Sequence, residues 1–165
     1  MIVVDTNVFV IEKRYKRDAH FSDNHRFLMQ LRRRGDGATT LANLLEFAGV
    51  VSFCLSPEQF VDTMDTFSEH FGMAVVPRGP DDLSFPPLSV SQLLTRISSR
   101  LAFGDALVLE LAEADAPAGS LFVTWDAKHF VGKTRLEVLT PAQVLRRWRV
   151  AARPQPGRTA RGGPR

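Results

Sequence analysis

Short runs of apolar and β-branched residues recur along the chain, at Ile2 to Asp5, Met73 to Val76, Leu121 to Thr124 and near Glu137 to Leu139, and stretches with helical apolar spacing separate them. Strands this short and this apolar have to be covered on both faces. When helices intervene between strands throughout, the pairing that results is a mainly parallel sheet. The expected class is therefore α/β, with helices on both faces of one central sheet. Gly37 to Thr40 fits a further, very short strand.

The helical stretches can be bounded from local chemistry. Thr6-Asn7 reads as turn and capping residues after the first strand. Ser22-Asp23-Asn24 offers caps for a helix with Phe27, Leu28 and Leu31 on one face, closing at Arg34-Gly35. Thr39 or Thr40 can cap a helix from Leu41 to Phe53. Ser56-Pro57-Glu58 starts another, whose stripe runs Phe60, Met64, Phe67 and Phe71 until Gly72 ends it. Residues 78 to 87 hold Gly79, Pro80, Pro86 and Pro87 and read as a loop. Helices follow at about Val90 to Leu101 and Asp105 to Ala114. A helical turn at Ala127 to Phe130 and a last helix from Pro141 to Val150 complete the pattern.

With 165 residues, 44% of them hydrophobic, the chain suffices for one well-cored domain. The net charge of +3 conceals an asymmetry: residues 146 to 165 carry seven arginines and no acid, leaving 14 basic against 18 acidic residues before them. One domain to about residue 150 is expected, followed by a basic tail, residues 151 to 165, too poor in apolar groups to order itself. Asp5, Asn43, Glu46 and Asp105 interrupt every apolar run well short of the roughly 20 residues that span a bilayer. The start shows neither a basic leader nor a small-residue cleavage site, so a cytoplasmic protein without membrane contact is expected. Cys54, the single cysteine, lies between Phe53 and Leu55 and is expected to be a buried structural thiol.

Four acids stand where such a fold would bring them together. Asp5 and Asp126 follow strands, Asp105 opens a helix after Gly104, and Glu46 interrupts the apolar stretch Leu41 to Phe53. Each has a structural alternative: Asp5, Asp105 and Asp126 as helix caps, Glu46 as half of a buried ion pair. Glu46 is the hardest to explain this way, because its helix is apolar nearly all round and is expected to be buried, with Asn43 a turn away as a hydrogen-bonding neighbour. Clustered carboxylates raise one another's pKa, and a hard divalent cation resolves the conflict. Oxygen donors suit Mg²⁺ or Mn²⁺, whereas His20, His25, His70 and His129 show no metal-binding spacing.

In order and spacing these segments resemble the PIN-domain nucleases, and particularly the VapC-type toxins of toxin-antitoxin pairs. Ile2-Val3-Val4-Asp5-Thr6-Asn7 is similar to the family's first strand and D-T/S-N/S motif, and Thr40-Leu41-Ala42-Asn43-Leu44-Leu45-Glu46 to its strand and glutamate-bearing helix. Phe103-Gly104-Asp105-Ala106-Leu107-Val108-Leu109 resembles the third acidic motif, and Val123-Thr124-Trp125-Asp126-Ala127-Lys128-His129-Phe130 the fourth. The likeness covers about residues 1 to 148 and leaves out residues 78 to 88 and the tail.

The resemblance implies a PIN-like three-layer sandwich and an Mg²⁺- or Mn²⁺-dependent ribonuclease leaving a 5′-phosphate and a 3′-hydroxyl. It implies that Asp5, Asp105 and Asp126 hold metal, that Glu46 binds metal or orients its water, and that Asn7 and Thr124 steady the carboxylates by hydrogen bonds. RNA as substrate, an antitoxin as partner and a homodimer follow from the same likeness. An acidic centre needs cations at its rim, and Lys13, Arg14, Lys16, Arg17, Arg32, Arg33 and Arg34 are candidates for RNA contact, with a solvated helix face as their alternative. Rival readings are a housekeeping PIN nuclease, a non-catalytic PIN module that binds RNA or protein, and an RNase H-like nuclease. The last requires consecutive β-hairpins between Asp5 and Glu46, where the sequence reads mostly helical. A D-x-D phosphatase is disfavoured by Asp5-Thr6-Asn7.

Overall fold

The computed structural model describes residues 1–77 and 85–152. Five parallel strands, β1 (Ile2–Val4), β2 (Gly37–Thr40), β3 (Met73–Val76), β4 (Leu121–Val123) and β5 (Glu137–Leu139), form one sheet in the order β3-β2-β1-β4-β5. Nine helices among the described residues surround it: α1 (Thr6–Arg14), α2 (Phe21–Arg34), α3 (Leu41–Ser52), α4 (Pro57–Asp65), α5 (Phe67–Phe71), α6 (Val90–Ser98), α7 (Phe103–Asp115), α8 (Ala127–Phe130) and α9 (Pro141–Ala151). The mainly parallel α/β sheet expected from the sequence is present. No antiparallel pair occurs among the described strands, which removes the RNase H-like reading.

Side-chain alternation along β1 divides the core in two. Ile2 and Val4 pack into one layer with Phe9, Phe27, Phe47, Phe67 and Phe71, while Val3 packs into the other with Phe122, Leu109 and Phe130. The first layer is aromatic-rich, with Phe9 meeting Phe67 and Phe71 edge-on at centroid distances of 5.2 and 4.9 Å. Because β2 and β4 flank β1 on opposite sides, the chain reverses its direction of winding at β1. In open parallel sheets that reversal leaves a crevice beyond the carboxyl ends of the central strands.

Several boundaries differ from the sequence reading. Thr6 and Asn7 are helical, since Asp5 itself caps α1 by accepting the Thr6 N–H at 2.8 Å. Asn24 is not a cap. It is fully buried, donating to the Val8 carbonyl at 2.9 Å and accepting from the Trp125 indole at 2.8 Å, so α2 begins earlier, after His20. The stripe from Phe60 to Phe71 is broken at Thr66 into two helices, α4 and α5. Cys54 is exposed, because α3 ends at Ser52 and the turn that follows carries Phe53 and Cys54 outward.

Capping boxes at Ser56/Gln59 and Thr140/Gln143, each followed by Pro, start α4 and α9. Among the described residues, no helix is long and apolar enough to cross a membrane. The expectations for the loop at residues 78–84 and for the tail at residues 153–165 fall outside the described residues.

Candidate active site

Asp5 leaves β1 at the crevice and is only 8% exposed. Its position is fixed from three directions. The Asp5 N–H donates to the Val123 carbonyl of β4 at 3.0 Å, continuing the strand pairing by one residue. One carboxylate oxygen caps α1, while the other accepts from the Thr124 hydroxyl at 2.6 Å and from the Asn7 amide at 2.9 Å. Behind it, the Val4 carbonyl accepts from Thr39 Oγ1 at 2.8 Å and Asn43 Nδ2 at 3.0 Å. Thr124 Oγ1 also accepts from Asn7 Nδ2 at 2.8 Å and from the Asp126 N–H at 3.1 Å, tying the two strand-end acids together.

The other three acids arrive on separate elements. Glu46 comes from α3, Asp105 from the first turn of α7, and Asp126 from the turn after β4, and all of them line one open cleft of about 300 Å³ with Asp5. Val10, Val50 and Phe130 contribute apolar wall, and among the described residues no Lys or Arg lines it. Glu46 corrects the sequence reading. Only one face of α3 is buried, at Leu41, Asn43, Phe47 and Val51, whereas Leu45 and Glu46 are exposed. Being apolar on most sides does not guarantee burial, and this helix turns part of its apolar surface towards the cleft and solvent. Glu46 Oε2 accepts from the Thr6 hydroxyl at 2.6 Å, which links α3 to the first turn of α1.

The capping alternatives resolve differently for each acid. Asp5 does cap a helix while facing the cleft. Asp105 is the third residue of α7, whose N-cap is Ala102, and its Oδ2 meets His129 Nε2 at 3.0 Å. Asp126 precedes α8 but makes no side-chain capping bond, so its carboxylate is left to the cleft. The only sequence signal for the contact between His129 and Asp105 is the position of His129 three residues after Asp126.

The electrostatic consequence falls on Asp5, whose pKa is pushed up to about 7. Burial is the largest cause, opposed by the bonds from Thr124 and the Thr6 N–H, and the charges of Glu46 and Asp105 push it further up. As the side chains lie, no group of three His, Cys, Asp or Glu among the described residues is close enough to hold a metal ion. The acids share a cleft without forming a closed cage.

The cationic candidates separate into two places. Arg14 and Arg17 flank the end of α1, and Arg14 donates to the Val50 carbonyl at 3.3 Å beside the cleft. Arg32, Arg33 and Arg34 occupy the last turn of α2, which leads into the amino end of β2. They therefore stand at the amino ends of the strands, opposite the carboxylates at the carboxyl ends. There Arg34 pairs with Asp36 at 3.2 Å and lies over the Trp148 ring at 4.8 Å.

Neither a protein-family profile nor a curated protein matches the sequence. Solved structures do match. A chain of VapBC2 from Rickettsia felis, determined bound to a DNA fragment from its promoter, superposes with a TM-score of 0.57 at 20% identity, over 85% of this chain and 98% of that one. A chain of VapBC-1 from nontypeable Haemophilus influenzae gives 0.55 at 12% identity, over 86% and 99%. A chain of FitAB bound to the IR36 DNA fragment gives 0.54 at 15% identity, over 86% and 95%. With a five-stranded parallel sheet whose switch point gathers Asp5, Glu46, Asp105 and Asp126, the chain has the fold of these VapBC and FitAB chains, the PIN-type fold that its four acidic motifs imply.

Proposed function

We propose that the chain is a Mg²⁺- or Mn²⁺-dependent ribonuclease that hydrolyses RNA phosphodiester bonds and serves as the toxin of a type II toxin-antitoxin pair. The observation that carries this reading is the convergence of four carboxylates from four elements on one cleft that, among the described residues, no Lys or Arg lines. A protein that only needed stability would not retain such a group unmatched, because its members repel and Asp5 is already desolvated. The donor set is all oxygen and suits a hard divalent cation. Asp5, Asp105, Asp126 and Glu46 would hold it. Glu46 and Asp126 are exposed and Asp105 is half-buried, so turning them inwards disrupts little packing.

Once bound, the cation supplies a water of lowered pKa and a positive charge for the leaving oxygen. The chain's own contribution is to position the acids. Asn7 and Thr124 hold the Asp5 carboxylate in one orientation, the Thr6 hydroxyl directs Glu46, and His129 steadies Asp105. Among the described residues Thr6 is the one hydroxyl that lines the cleft, and it is 5% exposed and committed to Glu46, which favours water over a side chain as the nucleophile. The likeness to VapBC and FitAB chains supports pairing with an antitoxin; assembly as a homodimer belongs to the same proposal.

The test is cleavage of structured RNA by the purified protein with Mg²⁺, with Mn²⁺ and with EDTA, alongside Asp5→Asn and Asp105→Asn. Cleavage should require the cation and fall by more than about 100-fold in each variant, since loss of even an outer partner of a metal ligand costs roughly 10–100-fold. Variants that cut as fast as the parent would remove the assignment. A small reading frame adjoining the gene, whose product binds the protein and suppresses cleavage, is the expected mark of the toxin role.

A further inference from the structure

The turn between α1 and α2 carries Lys13, Arg14, Lys16 and Arg17 around Tyr15, with Asp18 as its one acid, and these six residues border a shallow concavity of about 630 Å³. Lys13 and Arg14 have a structural explanation, since cations in the last turn of a helix complement its dipole. Lys16 and Arg17 lie beyond the helix and have none. None of the four forms an ion pair among the described residues, and Asp18 is already engaged by the His20 N–H at 2.7 Å. Tyr15 leaves half of itself exposed, with the Arg14 guanidinium 5.7 Å from its ring centroid.

The turn is tied to the acidic cleft at both ends. Arg14 lies one helical turn, about 6 Å, beyond Val10 on the same side of α1, and its guanidinium reaches Val50 on α3; both valines line the cleft. At the far end His20 stacks on Trp125 at a centroid distance of 4.2 Å, next to Asp126 in the chain. The cations and an exposed aromatic ring thus adjoin, through Arg14, the wall of a cleft whose carboxylates repel phosphate, while Arg32 to Arg34 are at the amino ends of the strands.

We propose that the Lys13 to Arg17 turn is the substrate-binding arm of the cleft and takes single-stranded RNA, with Lys16 and Arg17 on backbone phosphates and Tyr15 stacked against a base. This rests on the ribonuclease reading and names the residues that would take its substrate. Stacking requires an unpaired base, because a duplex shows no free ring face along its length. Phosphate contacts at the turn offset the repulsion from the acids and deliver the strand without reading its sequence.

Binding is measured by fluorescence anisotropy in EDTA, where cleavage cannot interfere, with fluorescein-labelled oligouridylate and a blunt RNA duplex on the full chain. Tyr15→Ala should weaken oligouridylate binding about 5- to 30-fold and Tyr15→Phe should restore it, because the ring and not the hydroxyl stacks. Lys16→Ala with Arg17→Ala should reduce the slope of log affinity against log salt by about 1.4, at roughly 0.7 per lost contact to a single strand. The duplex should be insensitive to Tyr15→Ala. Equal oligouridylate binding by parent, Tyr15→Ala and the double variant would overturn the proposal, as would a parent that ignores RNA but binds a Glu-rich peptide through this turn. If the variants lose RNA binding and the parent proves unable to cleave RNA with Mg²⁺ or Mn²⁺, the arm stands and the ribonuclease reading fails.

Discussion

Helix α7 carries two groups of acids, and they are treated in opposite ways. Towards its C-terminal half, Glu110 and Glu113 both receive Arg96 of α6, which meets Glu113 through two nitrogens at 3.0 and 3.2 Å, and Thr134 adds a bond to Glu113 at 2.6 Å. Burial raises the Glu113 pKa, but the bonds and charge of Arg96, together with Thr134, outweigh it and hold the carboxyl below its ordinary value. In its first turn, Asp105 faces Asp5, Glu46 and Asp126 across the cleft, and there the burial of Asp5 is not outweighed. Where acids serve the architecture, this chain supplies arginine. Where the described residues supply none, the proposed divalent cation would provide the missing positive charge.

The strongest way to sharpen this contrast is to loosen the acid group without removing an acid. Asn7→Ala deletes the amide that bonds both Asp5 and Thr124, and RNA cleavage should fall by about 10–100-fold while urea denaturation changes little. An unchanged rate would mean that Asp5 needs no bracing. Arg96→Ala tests the other group: it leaves Glu110 and Glu113 facing each other, and stability should drop by about 1–3 kcal/mol, moderated by partial solvation, with cleavage by the remaining folded protein retained.

The pH dependence of the metal-free protein should separate the groups next. An Asp5 that keeps its proton to about pH 7 when folded, against 3.8 when unfolded, means that the native state binds more protons across that window. Stability therefore falls as pH rises from about 4 to 7 and stays reduced above it. In EDTA at pH 8, Asp5→Asn should be more stable than the parent by about 1–2 kcal/mol and show a flatter pH profile. Added Mg²⁺ should raise the denaturation midpoint of the parent more than that of the variant. The smallest effect belongs to Cys54→Ser, which should shift stability by less than about 0.5 kcal/mol because the thiol is exposed, and a thiol reagent should label native Cys54 readily.

How much the sequence disclosed depends on the range of the forces involved. The bounds of β3 and β5 agree with the sequence reading, because flanking turn chemistry and strand composition act locally. Helix α1 was concealed by its own cap: an acid followed by Thr6 and Asn7 looks like a turn until the run Val8 to Ile11 is seen to wrap around a helix. Asn24 deceived for a related reason, since a good cap residue is also a good buried donor and acceptor, and the partner that decides is Trp125, far along the chain. Asp5, Asp105 and Asp126 could be placed from strand ends and a helix start, Glu46 from its interruption of an apolar run, and the motif order joined the four. The exposure of Glu46, the contact between His129 and Asp105, and the separation of Arg14 and Arg17 from Arg32 to Arg34 all depend on helix rotation about a sheet that local spacing does not report.

The bracing of Asp5 has a consequence for how the molecule comes into being. Thr39 of β2 and Asn43 of α3 hold the Val4 carbonyl behind it, and the Thr124 hydroxyl that bonds its carboxylate lies 119 residues away along the chain. No fragment that stops short of β4 contains the pieces, and none of the long-range contacts involved is rewarded before the loop entropy between them has been overcome. The carboxylate cleft therefore has no local precursor. It comes into existence only when the sheet closes on both sides of β1, so a growing or partly collapsed chain is without the cleft until the fold is essentially complete.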